Sequence, residues 1–198
     1  MADQITLNNK EIKFTQNDLL GLILYQPKVG GSHFTMTVVA NLLLRGSKIL
    51  MLSAYPMARD NIIQQLKDSN IKTDYIININ QVNANAQAII LESGNESLFL
   101  KTIEGLKDIK ERVVLIKNFE VFSFKIVEAC LNLDKVILSG DIEKSQEKDL
   151  ILAKQYKTYV VFSNPSVKLP FITPVLEKYS GYLYSNERQG LVRVLMKA

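Results

Sequence analysis

Leu19-Leu-Gly-Leu-Ile-Leu-Tyr-Gln-Pro-Lys-Val-Gly-Gly-Ser-His-Phe-Thr35 is the stretch whose reading decides the fold. Leu19 to Tyr25 is a nearly continuous apolar run, the composition of a strand buried on both faces. The glycine-containing loop Gln26 to His33 follows. A helical pattern then runs from about Phe34 to Arg45, and Gly46 supplies its C-terminal cap. A buried strand, such a loop and a helix start together make an anion-binding arrangement, because the first helical amides point outward and the helix dipole attracts negative charge.

Outward from this stretch, strands and helices alternate. The pattern predicts strands over 48–53, 73–79, 88–91, 113–116, 135–139 and 158–162, with helices over 56–69, 96–110, 123–133 and 145–156. Residues 78–87, rich in Asn and Gln, read as a loop. Strands separated by helices predict an α/β fold, a mainly parallel sheet with helices on both faces. Two hairpins frame it. Gln4 to Phe14 alternates polar and apolar residues around Asn8-Asn9, and Gly181–Ser185 pairs with Gly190–Met196 around a polar turn. Antiparallel strands are therefore expected from hairpins at both ends of the chain. Pro165, Pro170 and Pro174 mark an irregular connection, not a boundary. Residues 1–198 read as a single domain.

Composition narrows the class. The 198 residues are 47% hydrophobic and 22% charged, an ordinary balance for a folded domain with a sizeable core. No apolar run approaches the roughly 20 residues that span a bilayer, so no membrane insertion is expected. Met1-Ala2-Asp3-Gln4 lacks the basic start of a signal peptide. Cys130 is the only cysteine, so no disulfide within the chain is available, and a cytoplasmic location is the default reading. The net charge of +4 permits contact with an acidic partner without arguing for one.

A complete phosphate-binding P-loop reads G-x-x-x-x-G-K-[ST]. The corresponding stretch here is Lys28-Val-Gly-Gly-Ser-His-Phe-Thr35, with Thr35 at the hydroxyl position, Phe34 at the lysine and His33 at the last glycine. Asn41-Leu-Leu-Leu-Arg-Gly-Ser-Lys-Ile-Leu-Met-Leu-Ser53 resembles the passage after the P-loop in RecA/KaiC-like ATPases. Val113-Val-Leu-Ile-Lys-Asn-Phe-Glu120 is similar to that family's Walker B strand. Val136-Ile-Leu-Ser-Gly-Asp141 and Leu191-Val-Arg-Val-Leu-Met-Lys197 resemble its following and terminal strands. The resemblance covers residues 15 to 198 and rests on order and pattern. It implies a RecA-like P-loop fold, ATP and magnesium as ligands of a degenerate site, and assembly with further copies or with a related ATPase subunit.

Three parts of the family's hydrolytic machinery are altered. Phe34 stands in for the Walker A lysine. Asn118 or Lys117, depending on register, replaces the Walker B aspartate. The Ser53-Ala-Tyr55 neighbourhood replaces the catalytic glutamate at the end of the second strand. Three such losses predict a pseudo-ATPase, with at most weak hydrolysis.

The candidate nucleotide-binding residues are Lys28, Gly30, Gly31, Ser32, His33 and Thr35, and no residue is assigned as catalytic. Each also has a plainer role: Lys28 as a solvated loop lysine, His33 as a packing or capping residue, Thr35 as an ordinary helix-start threonine. Glu120 as a displaced acid and Asp141 at a strand end stand against surface carboxylates. Lys197 stands against an unassigned tail lysine. The only histidine has no partner set for zinc. Phe34, read at the lysine position, would fill the site and close it to nucleotide, burial of such a ring being worth about 1.5–3 kcal/mol. The leading expectation is a non-catalytic RecA-like scaffold or regulatory subunit. An ATP-binding switch with little hydrolysis is the alternative, and a nucleic-acid-binding module the second.

Overall fold

The structure, a computed structural model, describes residues 4–11, 21–55, 73–76, 85–92, 95–141, 143–144, 158–162 and 174–195. Among them eleven strands form one sheet. Along the chain these are β1 (Gln4–Leu7), β2 (Lys10–Glu11), β3 (Gly21–Tyr25), β4 (Ile49–Ser53), β5 (Thr73–Ile76), β6 (Ala88–Leu91), β7 (Val113–Lys117), β8 (Val136–Asp141), β9 (Thr158–Phe162), β10 (Gly181–Ser185) and β11 (Gln189–Leu195). Their spatial order is β2-β1-β11-β10-β9-β3-β8-β7-β4-β6-β5. The seven strands from β9 to β5 are parallel, and those from β10 to β2 pair antiparallel. The fold is that of a mainly parallel RecA-like sheet.

Continuous apolar strands feed two cores. Ile23, Tyr25, Met51, Ile90, Leu115 and Ile137 face one side, where α1 (Gly31–Leu44) packs with Phe34, Val38, Leu42 and Leu43. Leu22, Leu24, Leu50, Leu52, Ile116 and Leu138 face the other, under α2 (Glu96–Gly105) and α3 (Phe124–Leu131), which contribute Phe99, Ile126, Val127 and Cys130. Helices therefore cover both faces.

Local chemistry sets the element ends. Gly46 at φ 85° closes α1 with its amide on the Leu43 carbonyl, while the Ser47 amide reaches that of Leu42, the paired bonds of a Schellman cap. The Asn95 side chain accepts the Leu98 amide at 3.0 Å and caps α2. Asn8 and Asn9 both adopt positive φ (50° and 65°) at the β1–β2 turn, as the asparagine pair predicts. The two terminal hairpins do not flank the sheet separately. Strand β1 pairs with β11, Ile5 opposite Val194, so both hairpins build one antiparallel edge.

Several boundaries differ from expectation. Helix α1 begins at Gly31, three residues before the Phe34 start predicted from apolar periodicity, because the Phe34 amide already bonds the Gly30 carbonyl at 2.9 Å. Strand β7 reaches Lys117 and β8 runs through Gly140 to Asp141, both past their apolar runs. Helix α2 stops at Gly105 instead of 110. The helices expected over 56–69 and 145–156, most of the 78–87 loop and Lys197 lie outside the described residues.

An ion cluster around the buried Arg112 pins the strand starts at the far end of the sheet. Arg112 is 1% exposed. Its guanidinium donates to Asp108 Oδ1 at 2.9 Å and to the carbonyls of Ala86 (3.0 Å) and Ile49 (3.4 Å), while Lys48 Nζ meets Asp108 Oδ2 at 2.8 Å. It thereby ties the entrances of β4, β6 and β7.

Candidate functional site

Open parallel sheets bind ligands beyond the carboxyl ends of their strands, and the cleft of about 560 Å³ lies there. Its wall combines the loop after β3 and the first turn of α1 (Lys28, Gly30, Gly31, Ser32, His33) with Tyr55 beyond β4, Lys117, Asn118 and Glu120 around the end of β7, and Asp141 and Lys144 at the end of β8. Such a volume is within the range that holds small ligands and cofactors, about 300–1,000 Å³.

The loop is bent by left-handed residues. Lys28 has φ 67° and Gly30 has φ 98°, a conformation glycine tolerates and a lysine resists. No side chain caps the start of α1. The first helical hydrogen bond is the one from Phe34 to Gly30, so the Gly31 and Ser32 amides precede it without intrahelical partners. Gly31 lies against the strand below: a Cβ there would sit 2.2 Å from Tyr25 Cβ. Only glycine lets α1 start this close to β3.

The six residues predicted to hold a ligand do not all meet. Lys28, Gly30, Gly31, Ser32 and His33 line the cleft. Thr35 does not. It is fully buried, with its hydroxyl on the Gly31 carbonyl at 2.9 Å and 2.7 Å from the Ser139 hydroxyl. Phe34 is likewise fully buried beneath the helix, its ring 5.0 Å from that of Phe162 on β9. The expectation that Phe34 fills and closes the cleft is thus corrected. The early start of α1 turns positions 34 and 35 toward the sheet and away from the cleft.

The strand ends add residues that motif matching left as alternatives or missed. Lys117 ends β7 opposite Ser139 of β8 and Ser53 of β4. Asn118 follows at φ 61° and donates its amide to the Ser139 carbonyl. Glu120 Oε2 is buried without a hydrogen-bond partner, in space that Gly140 leaves open, since a Cβ on Gly140 would sit 2.1 Å from it. Burial pushes the Glu120 carboxyl above its ordinary range. The backbone amides of Glu120 and Asp141 and the Asn118 side chain pull it back in part, and the Asp141 charge adds to the rise. Tyr25 is 6% exposed, and its hydroxyl lies near those of Ser139 and Ser32 without reaching good hydrogen-bond geometry. Burial raises the tyrosine above its usual value. The nearby Ser139 and Ser32 hydroxyls oppose that shift, and the Glu120 and Asp141 charges reinforce it. Sequence carried no signal for Tyr25, which reads simply as the last apolar residue of a strand.

The cleft carries three lysines (Lys28, Lys117, Lys144) and two acids (Glu120, Asp141), with Lys144 Nζ 3.8 Å from Asp141 Oδ2. The residues do not fit the magnesium site that the resemblance implied. The Thr35 hydroxyl is committed below the helix, and an ammonium group, which cannot ligate a cation, stands at the end of β7. Among the described residues no group of three or more His, Cys, Asp or Glu converges on a metal-sized space. Nor is any described helix long and apolar enough to cross a membrane.

No protein-family profile matches the chain, and no curated protein sequence does either. Solved structures do match its fold. The genome packaging NTPase B204 of Sulfolobus turreted icosahedral virus 2, in complex with AMP, is similar over 93% of this chain and 100% of that chain, with a TM-score of 0.61 and 12% identity. The same NTPase is known in complex with ATP-gammaS. The cytoplasmic domain of the Thermomonospora curvata Type VII secretion ATPase EccC matches all of this chain at a TM-score of 0.66 and 10% identity, over 26% of its own length. EssC ATPases 2 and 3 of Geobacillus thermodenitrificans match 98% of the chain at 0.63 and 12%, over 41% of theirs. At such identities the likeness is one of fold, that of a P-loop ATPase domain.

Proposed function

We propose that residues 1–198 form one degenerate P-loop domain that holds the phosphates of a nucleotide such as ATP without turning it over, and that acts as a regulatory or scaffolding subunit. The observation that carries this is the position of Phe34, buried against Phe162 and not in the cleft, which leaves the uncapped start of α1 open to an anion. Counted from that helix start, Gly31 is the motif's last glycine, Ser32 takes the lysine position and His33 the hydroxyl position. The Walker A lysine is thus missing in this register too.

Loss of turnover follows from what the strand ends lack. At the end of β7, Lys117 and Asn118 occupy the acidic positions. At the end of β4, the buried Ser53 gives its hydroxyl to the Tyr55 carbonyl at 2.8 Å and cannot act as a base. No carboxylate at either point orients a water for attack on the γ-phosphate, the role on which hydrolysis depends. The remaining groups can bind: amides of the first helical turn, Lys28 over the loop and Lys144 from beyond β8. The partner class, further copies or a related ATPase, rests on the resemblance and on the P-loop ATPase fold.

Two readouts test the reading together. A saturating ATP analogue is expected to raise the melting temperature, as ligand binding to the folded state requires, while phosphate release from ATP stays at the uncatalysed background. Turnover abolished by a substitution in the cleft would refute the non-catalytic half.

A further inference from the structure

The positive charge missing from α1 reappears across the cleft. At the strand end where the resemblance places an aspartate that would hold magnesium, this chain carries Lys117 and then Asn118, and Lys117 lines the same cleft as the helix start. The exchange runs in both directions. The metal's acidic anchor is gone, and an ammonium group with three donors occupies its place. Beside it lies Tyr25, a cleft-lining residue that is only 6% exposed.

We propose that Lys117 is a phosphate-binding residue and that the site takes a nucleoside polyphosphate without a divalent cation. In magnesium-dependent sites the metal neutralises the outer phosphate oxygens and is itself held by an acid at this strand end. Here Lys117 neutralises those oxygens directly. The Gly31 and Ser32 amides, which precede the first intrahelical bond of α1, belong to the same cleft wall. Lys117 is paired on both sides, to Ser53 of β4 and Ser139 of β8, which holds it in place as the last residue of β7.

This inference rests on the nucleotide-binding reading, and its test separates the two. ATP-gammaS is titrated into the whole chain, wild type and variants, once with excess magnesium and once with EDTA. Wild type is expected to bind with the same affinity in both, within about twofold. Lys117→Met is expected to weaken binding roughly tenfold or more in both, as loss of a charged hydrogen bond does, and Lys117→Arg is expected to restore most of it. Lys144→Met, which removes a lysine from the rim, gives the smaller loss. Wild-type binding that needs magnesium, or Lys117→Met binding like wild type in EDTA, overturns the role of Lys117 and leaves nucleotide binding standing. No binding by folded wild type in either buffer overturns both.

Discussion

The Thr35 hydroxyl lies 2.7 Å from that of Ser139 and 2.9 Å from the Gly31 carbonyl, hydrogen-bonded to both. The pair joins the first turn of α1 to β8 below it. This arrangement makes Thr35 a structural residue, although a threonine at that distance from a glycine loop matches a metal-binding motif. Thr35→Ala is expected to lower stability by about 1–3 kcal/mol, because it strands the buried Ser139 hydroxyl. Nucleotide affinity should stay within about threefold of wild type. Urea denaturation and a binding titration check the two halves separately.

Two lysine substitutions settle the register of the loop. Phe34→Lys replaces a ring packed on Phe162 with a cation in the core, and is expected to prevent folding or to destabilise by about 3 kcal/mol or more. Ser32→Lys places the same group in the cleft, and is expected to leave the fold intact and tighten ATP-gammaS binding. The opposite outcome, a folded Phe34→Lys protein with gained affinity, would restore the sequence-based alignment.

That contrast shows how much the sequence could reveal. The α/β class, the parallel order, the asparagine turn and the Gly46 cap were all legible, because apolar runs and turn residues act locally. The start of α1 was not. Gly31, Ser32 and His33 carry no apolar periodicity, so the pattern placed the helix start at Phe34. Tyr25 and Arg112 were invisible for another reason. A tyrosine closing an apolar strand and an arginine before one are unremarkable until the sheet shows which groups surround them.

The Arg112 cluster predicts a pH dependence. Burial alone would raise the Asp108 carboxyl, but hydrogen bonds and charge from Arg112 and Lys48 outweigh it and hold it below its ordinary value of 3.8. A depressed carboxyl contributes stability that is present above its unfolded value and lost as pH falls through the folded one. Asp108→Asn should therefore be destabilised at pH 7, by about 3 kcal/mol where a buried arginine loses its partner. Its difference from wild type should shrink in acid. Thermal melts from pH 7 down to pH 3 measure this.

Glu120 has the opposite sign. Its carboxyl is raised above the ordinary 4.5, chiefly by burial, so the folded protein binds its proton more tightly than the unfolded chain does. Stability from this group is greatest in acid and declines as pH rises through the raised value. Glu120→Gln should be more stable than wild type at pH 8 and nearly equal to it at pH 4. A glutamine that destabilises at pH 8 would mean the carboxylate is compensated there by a partner charge.

The cleft is expected to bind nucleotide, with Phe34 out of the way. Calorimetric titration of the purified chain with ATP-gammaS tests it most directly. Saturable binding at micromolar concentration, weakened by Lys28→Ala, is the predicted result. A flat titration in a protein that melts cooperatively would contradict the account and leave the chain a scaffold with an empty cleft.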